Sequence, residues 1–363
     1  MTKLIDRAAR TAPLWTVASV LALSAAAMSH AAEPKSVAGV ICNSPPRINC
    51  PEANCLPALS GYQGDAVEPK SGRKFLLDFP CDYKPGEQVI FILNIHGAGS
   101  VGNWQRHYFP AIDDKEKYRL VVATPTAKAD MPGRTWQAAN DDKFLEDVSS
   151  LVIDAFGKQN IKSFWLAGHS QGGITSRRIV CSPYFRSRVD GFISLSGGRI
   201  GTPTPPPGAT PTAAPGAAPG RGAAPAGAPA RGPAAAPPPL DCDFSFIYGT
   251  GELEAAGAVS ARQPSTWAER YACGPRVREP DIVDTRAGYV TATDQTRGPS
   301  WGRFARPGKA EVQVYTGCKD GRVVADIVRL DKGHTEGYEP QILDRILKLM
   351  ASIPGGKLRS GRG

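Results

Sequence analysis

The segment Gly168-His169-Ser170-Gln171-Gly172 matches the pattern Gly-x-Ser-x-Gly. A serine hydroxyl is a weak nucleophile at neutral pH unless a neighbouring base takes its proton. The flanking glycines have a physical purpose: a sharp strand-to-helix turn forces strained backbone angles and a close helix–strand approach, where only small residues fit. So short a pattern also arises by chance, and its setting decides its weight. An apolar run precedes it and a helix-like segment follows. Such a turn would lift Ser170 Oγ above the end of a sheet and point a helix N-terminus at developing negative charge.

The base can be chosen by order along the chain. Beyond residue 31 the histidines are His96, His107, His169 and His334, and only His334 follows Ser170. A strand–turn–helix serine is followed in sequence by its acid and then by its histidine. His334 sits in Lys332-Gly333-His334-Thr335, between an apolar strand-like run and the last helix-like segment. The acid is expected just after the strand-like Phe244–Tyr248, in Gly249-Thr250-Gly251-Glu252-Leu253-Glu254. Glu252 is the first choice and Glu254 the second, with Asp284 and Asp294 as outside candidates. A carboxylate there would orient the imidazole and stabilise its protonated form.

Asn94-Ile95-His96-Gly97-Ala98-Gly99 closes another apolar run. A His-Gly turn there supplies one N–H to an oxyanion, and the residue after the nucleophile supplies the other. The backbone N–H groups of Ala98 and Gln171 are therefore the expected donors, each worth ~10²–10³ in turnover. His169 is expected to turn into the scaffold. Trp104, Tyr108 and Trp136 are candidates for an aromatic substrate pocket, with core packing an equal alternative. The cysteines lack Cys-x-x-Cys spacing and nearby histidines, so neither a metal site nor any other cofactor is expected.

These residues need a sheet to hold them. Val89–Ile95, Leu120–Thr124, Ser163–Ala167 and Gly191–Ser196 are short, nearly continuous apolar runs, as in strands buried on both faces. Lys74–Phe79, Phe244–Tyr248, Glu311–Tyr315 and Val323–Leu330 read as further strands. Asp141–Phe156 carries Phe144, Leu145, Val148, Leu151, Val152 and Ala155 at helical spacing, with acidic residues in its first turn and Gly157 beyond its end. Gly172–Cys181 and Pro340–Ile353 are helical too, the latter with Ile342, Leu343, Ile346, Leu347 and Met350 on one face. Strands alternating with helices predict an α/β fold with a mainly parallel sheet covered on both faces.

Residues 1–31 have the pattern of an export signal: Lys3, Arg7 and Arg10, then uncharged Leu14–Met28, then Ser29-His30-Ala31. Removing Lys3, Arg7, Arg10 and Asp6 lowers the formal charge from +9 to +7. The basic residues are scattered rather than arrayed, so nucleic acid is not an expected partner. No later run is long and apolar enough for stable membrane insertion. All eight cysteines lie beyond the signal, four of them in 42–81. An even count in an exported chain predicts disulfides, in a periplasmic or extracellular setting, with residues 32–73 a Cys-rich segment stapled to the domain. The domain itself spans 74–353, and 354–363 reads as a flexible basic tail. Residues 201–239 hold 13 Pro, 13 Ala and 7 Gly. That composition predicts a disordered insert within the domain.

The chain resembles the α/β-hydrolase esterases, in particular the secreted group with polyhydroxybutyrate depolymerases and feruloyl or acetylxylan esterases. The resemblance runs from about Lys74 to Ile353. It rests on His96-Gly97, Gly168–Gly172, Gly249-Thr250, Tyr315-Thr316-Gly317-Cys318 and Gly333-His334-Thr335. In that group the Gly-Thr turn is usually followed, two residues on, by an Asp, where this chain has Glu252. The group's His-Thr commonly precedes Trp-Pro, where this chain has Glu336-Gly337. The resemblance implies an α/β-hydrolase fold, a Cys273–Cys318 disulfide and a cap position at the insert. It also implies a secreted serine hydrolase that cleaves carboxylic esters, aromatic or polymeric ones included, through an acyl-enzyme. A peptidase or amidase on the same fold, and a non-catalytic binding protein on the same scaffold, are the alternatives.

Overall fold

Among the described residues, apolar runs buried on both faces form the centre of an eleven-stranded sheet. The structure is a computed structural model describing residues 36–44, 64–128, 134–200, 240–286 and 307–360. A small hairpin, β1 (Ser36–Val37) and β2 (Val40–Ile41), lies apart from the sheet. The sheet contains β3 (Ala66–Val67), β4 (Lys74–Asp78), β5 (Val89–Ile95), β6 (Leu120–Pro125), β7 (Ile161–His169), β8 (Gly191–Leu195) and β9 (Ser245–Gly251). It is completed by β10 (Arg276–Arg278), β11 (Ile282–Val283), β12 (Lys309–Tyr315) and β13 (Val324–Leu330). In space the order is β10-β12-β13-β9-β8-β7-β5-β6-β4-β3, with β11 also paired to β12. The six strands from β13 to β6 run parallel. The strands at both edges run antiparallel to their neighbours. This mainly parallel sheet with helices on both faces is the expected α/β-hydrolase fold.

Side chains alternate across the sheet, and so do the two apolar cores. Phe91, Leu93 and Ile95 of β5 point to one core; Ile90 and Ile92 point to the other. The helices are α1 (Gly102–Tyr108), α2 (Lys115–Tyr118), α3 (Lys143–Phe156), α4 (Gln171–Ile179), α5 (Ala255–Arg262), α6 (Thr266–Arg270), α7 (Pro340–Ser352) and α8 (Lys357–Ser360). The apolar stripe of α3 covers the first core, while α1 and α7 cover the second. Helix α1 has no amphipathic signature because all seven of its residues are buried, polar ones included. Arg106 lies on it, doubly bonded to Asp78 on β4 at 2.8 and 2.7 Å.

Two disulfides are present among the described residues. Cys273–Cys318 is the pair implied by the resemblance, and Cys181–Cys242 is a second. The latter ties the chain just beyond α4 to the chain just before β9. That segment, the export signal, Cys50, Cys55 and Asp294 lie outside the described residues. Cys42 and Cys81 are free thiols in mutual contact, and burial together with Cys42 pushes Cys81 up to about 12. The expected flexible tail needs correction at 354–360. Helix α8 is docked there, with Leu358 buried in the core and the Lys357 N–H bonded to Asp190 Oδ1 at 3.1 Å. No helix among the described residues is long and apolar enough to cross a membrane.

Candidate active site

Strand β7 ends at His169 and α4 begins at Gln171, leaving Ser170 alone at the turn with φ 51° and ψ −117°. Such angles are costly for a non-glycine residue, about 1–3 kcal/mol, and the surroundings must hold them in place. The Ser170 N–H donates to Leu195 O of β8 at 2.8 Å. The glycines let the layers close up. A Cβ on Gly168 would fall on the Gly172 carbonyl, and one on Gly172 would fall on Ile95 O. A Cβ on Gly173 would come within 2.8 Å of Gly197 Cα.

His169 points inward, as its place in the motif predicts. Its ring lies 4.1 Å from that of Tyr108 and 5.1 Å from that of Trp104, centre to centre. Burial first, and then His334, pull its pKa down to about 3, so the ring is neutral. Its Nε2 lies 2.8 Å from His334 O and must carry the proton, because a carbonyl can only accept. The two imidazole rings are 4.7 Å apart. Residue 334 is thus fastened to the residue next to Ser170, although 165 positions separate the bonded pair in sequence.

The carboxylate on His334 is Glu254, at 2.6 Å from Nδ1. This corrects the choice of Glu252, and the backbone explains why. Beyond β9 the chain stays alongside the β13 end, with Glu252 N–H bonded to Arg329 O and Leu253 N–H to Lys332 O. Glu252 faces outward, taking hydrogen bonds at 3.1 Å from Arg262 Nη2 and from the Asp331 N–H. A turn closed by Glu254 N–H on Gly251 O then brings Glu254 back over the strand end. Its Oε1 accepts from Ser196 Oγ at 2.6 Å, from the Gly251 N–H at 2.9 Å and from Thr250 Oγ1 at 3.4 Å. Burial would raise the Glu254 pKa, but His334, then Ser196 and the Gly251 N–H, hold it down at about 2. Asp284 instead caps backbone N–H groups at Arg286 and at Gln341 of α7.

The loop that carries His334 rests on buried charges. Arg329 donates to Glu339 at 3.0 Å and to the Glu336 and Gly337 carbonyls at 2.7 Å each. Its guanidinium covers the Tyr338 ring at 4.2 Å. Lys332 lies 3.0 Å from the same Glu339 carboxylate. A Cβ on Gly251 would lie 3.0 Å from Gly333 O, so the acid loop and the histidine loop are in close contact.

The turn after β5 faces the serine: a Cβ on Gly97 would lie 3.2 Å from Ser170 Cβ. His96, held neutral at about 4 chiefly by burial, braces it from below. Its Nδ1–H donates to Gly97 O at 2.7 Å, and its Nε2 accepts the Ala127 N–H at 2.9 Å. Among the described residues, neither the Ala98 nor the Gln171 N–H has a protein acceptor outside regular structure. Gln171 is the first residue of its helix, where the N–H has no intrahelical partner.

The aromatic trio does not form an open pocket. Trp104, Tyr108 and Trp136 are all at most 4% exposed. Trp104 and Tyr108 are stacked, and Trp136 Nε1 donates to His96 O at 2.8 Å while its N–H donates to Gln171 Oε1 at 3.1 Å. They are scaffold around the turn, the packing alternative. Ser196, which carried no motif signal, is the neighbour of Glu254 that sequence reasoning missed. Among the described residues no cluster of His, Cys, Asp or Glu is placed to hold a metal ion.

No protein-family model matches this chain, and no curated protein matches it. Among solved structures it is similar to an acetyl xylan esterase from Aspergillus awamori. The identity there is 11% and the TM-score 0.41, over 76% of this chain and 93% of that one. A mutant feruloyl esterase module from Clostridium thermocellum, complexed with sinapinate, is 14% identical with TM-score 0.32, over 52% of this chain and 66% of that one. Est1E from Butyrivibrio proteoclasticus, with ferulic acid bound, is 20% identical with TM-score 0.26, over 34% of this chain and 49% of that one. Likeness at this level carries no inference about what this chain does.

Proposed function

We propose that this chain is an exported serine hydrolase that cleaves carboxylic esters through an acyl-enzyme. The observation that carries the reading is the junction at Ser170. A serine held at positive φ on a strand-to-helix turn is followed in sequence by a carboxylate–imidazole pair, and the imidazole residue is fastened to the serine's own neighbour. In this reading Ser170 Oγ attacks the ester carbonyl as its proton passes to His334 Nε2, the ring nitrogen not engaged by Glu254. Glu254 stabilises the imidazolium, and the Ala98 and Gln171 N–H groups hold the oxyanion. The imidazolium then protonates the departing alcohol. Water, deprotonated by His334, releases the acyl group and restores the serine. Two disulfides fit an oxidising compartment and support the export reading.

The test is turnover of p-nitrophenyl acetate, a feruloyl ester and a polyhydroxybutyrate film by wild type and Ser170→Ala, alongside labelling with a fluorophosphonate. Ester turnover and labelling that both vanish in Ser170→Ala are the expected result. Cleavage of p-nitroanilides in preference to esters would move the reading to an amidase. A folded protein that neither turns over nor labels would be a binding scaffold.

A further inference from the structure

Glu254 reaches His334 from a loop three residues past the end of β9, on a side chain with several rotatable bonds. Such a side chain loses rotamer entropy when fixed, so something must aim it. Strand β8 supplies that element. At its end Ser196 donates its N–H to Gly249 O on β9 at 2.7 Å and its Oγ–H to Glu254 Oε1 at 2.6 Å. The Tyr108 phenol lies beside the same hydroxyl. Together with the Gly251 N–H, Ser196 occupies one carboxylate oxygen and leaves the other for His334. The backbone at Ser196 is itself informative. Its φ is +56°, in the left-handed region that favours glycine. A glycine there would relax the backbone and remove the hydroxyl.

We infer that Ser196 is a positioning residue for the proposed ester hydrolysis: it clamps Oε1 of Glu254 so that Oε2 stays aimed at His334. This rests on the reading of Ser170, Glu254 and His334 given above. The clamp acts through Glu254 alone and touches no substrate.

The experiment combines Ser196→Gly, Ser196→Ala, Glu254→Gln and the double variant Ser196→Gly/Glu254→Gln, with Ser170→Ala as control. Each is measured for kcat and KM on p-nitrophenyl acetate and for Tm. A hydrogen bond to a charged group is worth about one to two decades. Both Ser196 variants are therefore expected to lose roughly 10- to 100-fold in kcat with KM within about threefold. The Tm of Ser196→Gly should stay within a few degrees of wild type, since relieved backbone strain offsets the lost hydrogen bond. Once Glu254 is Gln, removing Ser196 should cost less than about twofold more, because the two act as one unit. Ser196→Gly keeping at least half of the wild-type kcat would overturn the inference. So would an equal further loss in the Glu254→Gln background. In both cases an inactive Ser170→Ala leaves the hydrolase reading standing. An active Ser170→Ala would refute that reading, and the clamp with it.

Discussion

Replacing Glu254 by Gln should do more damage than its small change in shape suggests. In the native chain Oε1 accepts from Ser196 Oγ and the Gly251 N–H, while Oε2 accepts from His334 Nδ1. A glutamine has one acceptor end and one donor end. Three donors converge on the Oε1 site, Thr250 Oγ1 the most distant at 3.4 Å, so the amide oxygen belongs there and the NH₂ group faces His334. Nδ1 must then accept, and the ring proton moves to Nε2, the nitrogen that takes the Ser170 proton in the proposed reaction. Wrong tautomer and lost counter-charge together are expected to lower kcat by about 10³–10⁴-fold. That corresponds to about 4–5 kcal/mol of transition-state stabilisation. Glu252 is 40% exposed at its side chain and, among the described residues, bonds Arg262 and the Asp331 N–H, so Glu252→Gln should stay within about threefold of wild type. Glu254→Ala forces no tautomer and should keep more turnover than Glu254→Gln. Initial rates on p-nitrophenyl acetate, with circular dichroism to verify folding, decide it. Glu254→Gln within tenfold of wild type, or Glu252→Gln the more damaging of the two, would refute the reasoning.

Other expectations follow from the same contacts. Gly168→Ala places a Cβ on the Gly172 carbonyl, so the turn should not close, and a large drop in Tm is expected by calorimetry. Arg329→Met leaves Glu339 buried with one of its two cationic partners gone. It should cost about 3–5 kcal/mol in urea unfolding and, by loosening the His334 loop, lower turnover as well. Acid should weaken the fold through Glu254. Its folded pKa of about 2 lies below the ordinary 4.5, so its contribution is fully present above about pH 4.5 and fades as pH falls toward 2. The stability gap between wild type and Glu254→Gln should therefore be largest at neutral pH, on the order of 2–3 kcal/mol, and shrink toward pH 2. A gap that widens on acidification would reverse the sign assigned to this group.

Most of the central sheet was legible because a strand buried on both faces leaves a mark that needs no partner to be seen. Val89–Ile95 is a strand with the bounds its apolar run suggests. Leu120–Thr124 and Gly191–Ser196 each match to within a residue. Helix α7 was equally plain, since its apolar face recurs at helical spacing and Pro340 opens it. Helix α1 was not legible, for the opposite reason: burial on every side erases the polar–apolar contrast on which periodicity depends. The docking of α8 was hidden too. One buried leucine and one capping carboxylate 167 residues away make no local pattern.

The serine and the histidine were legible for a different reason than the acid. Ser170 is marked by the glycines its turn requires, and His334 is singled out by order along the chain, so both are fixed by local or one-dimensional facts. The acid is fixed by a turn. Whether Glu252 or Glu254 meets the imidazole depends on where β9 stops pairing with β13, and that pairing runs on through Glu252 N–H to Arg329 O and Leu253 N–H to Lys332 O. Each added residue of extended chain turns a side chain to the opposite face. The hydrogen bonds of two more residues thus send Glu252 out to Arg262 and let only the following turn bring a carboxylate inward. A glutamate arriving that late sits farther from a strand that could brace it, and the Ser196 hydroxyl on β8 meets that need. The position of the proposed acid and of its proposed clamp then have one cause: without the backbone hydrogen bonds of Glu252 and Leu253 to the β13 end, neither Glu254 nor the Ser196 hydroxyl would be needed in these roles.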